Sequence, residues 1–474
     1  MGQEISQTLF AGEDYVEYDR RLRQEIDLLN AWLEAGRFSS RSEVGGYELE
    51  CWLLDHNYFP APINQAYLAR LNNPLVGPEL SCFNVELNGV PQPLRGTALS
   101  DMRSELQGTW NQCQEVAHAM DSMLMMIGIL PSIRQRDLCL TNMADLRRYR
   151  ALNEQMLTRR AGRPLHIRID GRQRLDLVHP DVMLEAAATS FQLHLQVPQA
   201  EAVRYFNASL IAAGPLLAGA VNSPYLFDHD LWDETRIPLF EQAVDGREGT
   251  DASARRVDFG CGYARETLFE CFADNLNRHP VLLPLLMDTP AERFAHLRLH
   301  NGTIWRWVRP LIGFDPDGTP HLRIEQRVLP SGPSIADMLA NAALYFGLVR
   351  FLAGLSDAPE EDFPFEHARA NFYAAANCGL EAELHWLGGG QFQARTLLLE
   401  EILPMARQGL KTLTLDQNDI DTALDILQAR ITSGQTGAAW QRAYCRRHQA
   451  DSLHLVVAYL ERQRGGMPVH EWDI

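Results

Sequence analysis

Four short segments place polar residues at every second position between apolar ones. GYELECWLL (46–54) carries Glu48 and Glu50, and FNVELN (83–88) carries Asn84, Glu86 and Asn88. FQLHLQV (191–197) carries Gln192, His194 and Gln196, and LRIEQRV (322–328) carries Arg323, Glu325 and Arg327. Successive side chains of a strand point to opposite faces, so each polar set shares one face. Taken singly, each segment reads as an amphipathic strand with a wet side. Taken together, the four sets differ from an ordinary solvated sheet, which is rich in Thr, Ser and Lys. They hold carboxylates, amides, an imidazole and arginines. On one sheet these acids would repel each other unless cations lay between them. Carboxylate and amide oxygens are the ligands of Mg²⁺ or Mn²⁺. Arginines beside them grip phosphate or carboxylate through two-pronged contacts. Such a surface points to phosphoryl transfer from a nucleotide.

Other elements must hold these strands in place. Leu22, Ile26, Leu29 and Trp32 recur at helical spacing within 14–35. Further helices are predicted over 98–129 and near 144–160, 199–213 and 335–354. The first of these has a methionine-rich end, where Met120, Met123, Met125 and Met126 read as core filler. Beyond about residue 365 the chain reads as mostly helical, with a break at WLGGG (386–390). PLHIRIDGRQRLDLV (164–178) reads as a hairpin turning at Asp170–Gly171, and TIWRWVR (303–309) as another strand. Strands and helices mix without strict β-α-β alternation. That favours an α+β fold, with a curved, mainly antiparallel sheet backed by helices on its apolar face. No repeat or low-complexity linker divides the chain. It reads as one catalytic domain over 1–474, with an N-terminal helix in 1–40, a sheet-and-helix core over 41–355 and a mostly helical region over 356–474.

Composition narrows the classes. The chain is 46% hydrophobic, enough for a large core, and its net charge is −18. That balance argues against a protein that coats nucleic acid or an anionic membrane. Lys411 is the only lysine, and GLKTLTL around it has no glycine-rich loop. That argues against phosphate-binding loops of the G-x-x-x-x-G-K-[ST] type and against Schiff-base enzymes. The eight cysteines form no C-x-x-C, which removes zinc ribbons and thioredoxin-like motifs and suits free thiols in the cytoplasm. MGQEISQTLF lacks the pattern of a secretory signal, and no apolar run reaches the ~20 residues that span a bilayer. MGQEIS matches the myristoylation pattern, without further support.

The order of the motifs resembles the bacterial glutamate–cysteine ligase family, carboxylate–amine ligases of the glutamine-synthetase-like superfamily. The likeness runs from about residue 44 to about 385. GYELE (46–50) resembles the family's opening Gly-x-Glu-x-Glu strand, and FNVELN the next strand with its single acid. TSFQLHLQV (189–197) stands where relatives have polar residues at alternate positions, often His-x-His. LLAGAVNSPYLFDHDLWDETR (216–236) resembles an Ala-Asn-Ser-Pro stretch that ends in arginine. GTIWRWVRP (302–310), RIEQRVLP (323–330), the helix from Ser334 and ANCGLEA (376–382) follow in family order.

The resemblance implies a glutamine-synthetase-like catalytic fold and a defined reaction. ATP phosphorylates the side-chain carboxylate of L-glutamate, and the amine of L-cysteine displaces phosphate, on the way to glutathione. It implies Mg²⁺ or Mn²⁺ on Glu48, Glu50, Glu86 and Glu325. It gives Arg327 a phosphate or acyl-phosphate role and makes Arg236 a candidate for substrate or phosphate contact. Gln192, His194, Gln196, Thr303, Trp305, Arg309 and Arg323 become candidates for substrate or nucleotide binding, with Thr303 and Trp305 opening a strand along the site. Gln192 departs from the family's histidine; glutamine offers an oxygen but cannot titrate. The same superfamily admits a different amine or acid, and a protein that binds ATP without turnover is the reading from another class. The partners implied are small molecules, and a homo-oligomer is compatible with them. Other motifs have plainer readings. Asn222-Ser223-Pro224 suits a helix-ending turn, Asp228–Asp230 a solvated loop, and Arg147–Tyr149 a helix surface, although a family Arg-Tyr pair near there borders the substrate pocket.

Overall fold

The alternating segments do become strands of one sheet. The computed structural model describes residues 8–41, 43–245 and 255–474, so MGQEIS lies outside the described residues. The sheet contains β1 (Val44–Leu54), β2 (Val76–Pro78), β3 (Asn84–Asn88), β4 (Gln92–Pro93), β5 (Met123–Met125), β6 (Phe191–Val197), β7 (Val308–Phe314) and β8 (Pro320–Gln326). Its order is β7-β8-β6-β1-β3-β2, with β4 and β5 pairing onto β1. Every pairing is antiparallel, and the sheet curls into a half-barrel.

The register decides which polar residues meet. Glu48 sits opposite Asn88 on one side and Gln192 on the other, and Glu50 sits opposite Glu86. Glu325 lies opposite both His194 and Arg309, and Arg323 opposite Gln196. A slip of one residue would turn all of these to the wrong face, so the apolar alternation fixes the site. Leu49, Cys51, Val85, Leu87, Leu193, Leu195, Leu322 and Ile324 are all buried in the main core.

Helices cover that apolar face. They are α1 (Gly12–Glu34), α2 (Ala98–His118), α3 (Ala202–Ala218), α4 (Ile335–Ala353), α5 (Leu403–Thr412) and α6 (Gln417–Ser433). α4 packs against β6, α2, α3, α5 and α6. It is the one described helix long and apolar enough to cross a membrane, and 89% of its most apolar window is buried inside the protein. Gly347 of α4 faces Gly409 of α5, and a Cβ on Gly409 would collide with the Gly347 carbonyl. The two helices cross this closely because neither has a side chain at the contact. Ser334 caps α4 by accepting the Asp337 amide at 3.1 Å.

Two segments depart from the sequence reading. The helix over 98–129 stops at His118, and its methionine-rich end is β5. Asp121 takes a left-handed backbone (φ 49°), which ends the helix and turns the chain back along β1. Met125 then pairs opposite Trp52 and Met123 opposite Leu54. Methionine fits either element, so spacing alone could not separate them. The second departure is the strand expected from Thr303. Thr303 instead caps the helix Ala295–Gly302, and β7 begins at Val308. Trp305 and Trp307 are extended, but their amides bond the carbonyls of Arg256 (2.7 Å) and Asp258 (3.1 Å), outside the sheet.

The C-terminal helices are tied in by a buried ion pair. Arg430 of α6 lies 3.2 Å from Asp337 of α4 and also donates to Asn341. The Val469 amide donates to the other Asp337 oxygen at 2.9 Å. Both charged side chains are fully buried. Removing one partner strands the other charge, so Arg430→Ala should lower unfolding stability by about 3–5 kcal/mol. A urea midpoint equal to that of the wild type would contradict this.

Candidate active site

The polar face gathers its acids into two groups. In the first, ligand atoms of Glu48, His194 and Glu325 all lie within 4.8 Å of one another. In the second, the same holds for Glu50, Glu79 and Glu86. Cross-strand pairing builds most of this, since Glu50 faces Glu86 and His194 faces Glu325. Glu79 was not foreseen. It follows the three-residue edge strand β2, which is too short to show a period of two. Glu185 is a second omission. It comes from the 3₁₀ turn Val182–Ala187 and lines a small cavity with Glu50, Glu79, Asn84 and Thr189. Its only sequence signal was an acid in an otherwise apolar VMLEAA.

Burial and mutual repulsion set the charge on these acids. Burial, with Glu86 and Glu50 nearby, holds the Glu79 carboxyl well above the usual range. Burial and the neighbouring Glu48 push Glu86 up to about 6. Burial raises Glu50 against the pull of Arg327, and burial with Glu50 pushes Glu185 up to about 8. Glu325 goes the other way. It is buried, yet Arg309 and Arg327 together hold it down at about 2.

The arginines bracket the first group. Arg309 donates to both oxygens of Glu325, with Nη2 at 3.2 Å. Arg327 Nη1 reaches Glu325 at 3.3 Å and also donates to the Gln192 side-chain oxygen. Gln192 Nε2 in turn donates to Glu50 at 2.9 Å, and the Ser190 amide to Glu50 at 2.7 Å. Gln192 thus links the arginine to the second acid group. It does so through one amide, whose nitrogen donates and whose oxygen accepts, with no proton to lose.

The remaining candidates are spread more widely. Gln196 Nε2 donates to Asp315 at 3.3 Å, further along the same face. Arg323, opposite Gln196, makes no ion pair among the described residues, and its Nε is buried without a hydrogen bond. Thr303 donates to the His300 carbonyl at 2.8 Å and accepts from Arg256 at 3.2 Å, so its hydroxyl is engaged away from the acids. Trp305 packs edge-on against Phe240. Arg236 is buried beside the acids and bonds Glu234 at 3.1 Å and the carbonyls of Arg327 and Val328. Tyr149, at the edge of the Glu79–Glu185 cluster, accepts from Arg148 at 2.8 Å. Asp230 and Asp233 hold Arg442, so the 228–233 loop is pinned to the C-terminal helices.

The donor set fits divalent cations. Carboxylates that stay protonated or strained by repulsion are relieved when a cation lies between them. His194 Nε2 lies 3.2 Å from Glu48, and among the described residues neither ring nitrogen has a well-aligned hydrogen bond. An imidazole left this way, 8% exposed and between two carboxylates, suits a metal ligand.

The sequence matches the profile of glutamate–cysteine ligase family 2 over residues 44–459. The chain belongs to this family. Family membership makes it an ATP-dependent carboxylate–amine ligase. Among solved structures it is similar to a glutamate–cysteine ligase from Francisella tularensis in complex with AMP, at 14% identity and a TM-score of 0.58, over 90% of each chain. It is also similar to a bifunctional glutathione synthetase from Pasteurella multocida, at 10% identity and a TM-score of 0.57. That match takes in 95% of this chain and 54% of the other. At these identities the likeness is one of fold. No curated protein sequence matches.

For this family member the raised carboxyls of Glu79 and Glu86 imply proton competition with metal. The sign follows from their direction: Glu86 sits at about 6 and Glu79 is raised well above the usual range, so a proton must leave before a cation binds and cation affinity rises with pH. Calorimetric titration with Mn²⁺ should give tighter binding at about pH 7.5 than at about pH 5.5, with proton release. Glu79→Gln should weaken Mn²⁺ binding by roughly 10-fold or more. Affinity independent of both pH and Glu79 would remove that acid group from the metal reading.

Proposed function

We propose that the protein is a Mg²⁺-dependent glutamate–cysteine ligase, forming γ-glutamylcysteine through a glutamyl phosphate as a first step toward glutathione. The observation that carries this reading is the pairing of two acid groups with two arginines on one sheet face. Metal ions on these groups would neutralise the phosphate oxygens of ATP and the carboxylate of glutamate. The chain's own residues supply orientation and charge. The γ-carboxylate oxygen of glutamate attacks the terminal phosphorus of ATP, and the bond to ADP breaks. The amine nitrogen then attacks the acyl carbon, phosphate leaves, and the ammonium proton passes to solvent or phosphate. Arg327 is the group placed to hold phosphoryl oxygens through this exchange, because Gln192 and Glu325 fix its guanidinium at the junction of the two acid groups. Arg309 keeps Glu325 ionised, ready to bind a cation. Arg323, which lacks an ion-pair partner among the described residues, suits the polyphosphate or a substrate carboxylate. The cysteines are all free thiols, which supports a reducing, cytoplasmic setting.

A second reading keeps the chemistry and changes the acceptor. Glu185 adds a carboxyl beside the cavity without belonging to either acid group, and a carboxyl raised to about 8 would suit an acceptor with a further hydrogen-bonding group. ADP release measured with glutamate and a panel of amines, with the products weighed, separates the two. The expected result is release that needs both glutamate and cysteine and yields γ-glutamylcysteine. No release above background with any amine would sink the proposal. Glu50→Gln and Glu325→Gln should each reduce turnover at least roughly 100-fold while the far-UV circular dichroism stays unchanged.

A further inference from the structure

Arg327 stands just past the end of β8, where the ladder to β6 has stopped at Gln326. Its amide donates to the Trp307 carbonyl at 2.9 Å. Its own carbonyl and that of Val328 are held by one group, the guanidinium of Arg236, with Nη1 3.4 Å from the Arg327 oxygen and Nη2 on the Val328 oxygen. Arg236 is buried, its guanidinium lies 5.4 Å from the Trp307 ring centroid, and Glu234 is its only ion-pair partner among the described residues.

Glu234 is 0% exposed, and both its oxygens are engaged. Oε2 accepts the Asn222 amide at 2.8 Å, and Oε1 accepts the Ser223 hydroxyl at 2.7 Å and Arg236 Nε at 3.1 Å. Asn222 Nδ2 donates to the Ser331 carbonyl and to the Tyr459 hydroxyl, each at 2.8 Å. A continuous buried path therefore runs from the C-terminal helix through Asn222, Glu234 and Arg236 to the backbone of Arg327.

We propose that Glu234 is a positioning residue for Arg327: it aims the Arg236 guanidinium as a clip on the Arg327 and Val328 carbonyls, and so holds the Arg327 side chain between Gln192 and Glu325. This rests on the phosphoryl-holding role proposed above for Arg327. A buried arginine needs a carboxylate close by, and an isolated structural pair would satisfy that need alone. The added content is directional. Three donors fix the Glu234 carboxylate, and through Arg236 it holds the two carbonyls between the Arg327 amide's bond to Trp307 and the Phe191 amide's bond to Leu329.

Three variants separate positioning from mere stability: Glu234→Gln, Arg236→Met and the double variant. Each single change strands a buried group and should lower Tm; the double change removes both charges and should recover most of that loss. If Glu234 positions Arg327, all three variants lose kcat by a similar factor, roughly 10- to 100-fold, with little change in the KM for ATP. The double variant then stays slow although its Tm has recovered. A double variant that regains wild-type kcat together with its Tm would overturn the proposal and leave a structural role only. A crystal structure of the double variant gives a readout free of turnover. The Arg327 guanidinium is expected to leave Gln192 and Glu325, and finding it in place would equally overturn the proposal. If the wild type released no ADP with any amine, the functional reading would fail, while the crystal comparison would still decide whether Glu234 positions Arg327.

Discussion

Repulsion among buried carboxylates is the constraint on which this molecule turns. Glu48, Glu50, Glu79, Glu86 and Glu325 converge on one face of one sheet, where water cannot screen them fully. Left alone, such groups are pushed toward the neutral form, as burial and their neighbours push Glu79 and Glu86, or need cationic partners, as Glu325 does. A structure that served only itself would replace them with apolar or neutral side chains. Their retention makes sense where divalent cations and polyphosphate complete the charge balance.

Everything behind the sheet serves to hold those acids at fixed distances. The apolar side of each strand is sealed by α2, α3 and α4, so no strand can slip without exposing a row of leucines and valines. The close Gly347–Gly409 crossing and the Asp337–Arg430 pair lock the C-terminal helices onto α4. On the polar side the supports are hydrogen bonds to charged groups. Gln192 bridges Arg327 and Glu50, Arg309 brackets Glu325, and Glu234 holds Arg236. Such supports restrict motion of the reacting groups, which is where a transfer reaction gains most of its rate.

Much of the site was legible because strands write their faces into sequence with a period of two. Glu48, Glu50, Glu86, His194, Glu325 and Arg327 all lie on strands or one residue past one, and the structure brings them together. Glu79 and Glu185 were not legible. One follows a three-residue edge strand and the other sits in a 3₁₀ turn, and neither element has a period to read. The same limit explains the two misread elements. Methionine spacing near 120–126 suits helix and strand alike, and the aromatic alternation from Thr303 marked an extended segment bonded to 256–258. Arg236 carried no local sign that its partners would be Glu234 and two backbone carbonyls, because burial is a tertiary property.

The central claim is that the two acid groups are two cation sites on one platform. Crystals grown with Mn²⁺ and a non-hydrolysable ATP analogue, measured for anomalous scattering at the manganese edge, test it most directly. Two peaks are expected, one among Glu50, Glu79 and Glu86 and one among Glu48, His194 and Glu325, both beside the polyphosphate. Nucleotide bound elsewhere, or no manganese among these residues, would contradict it.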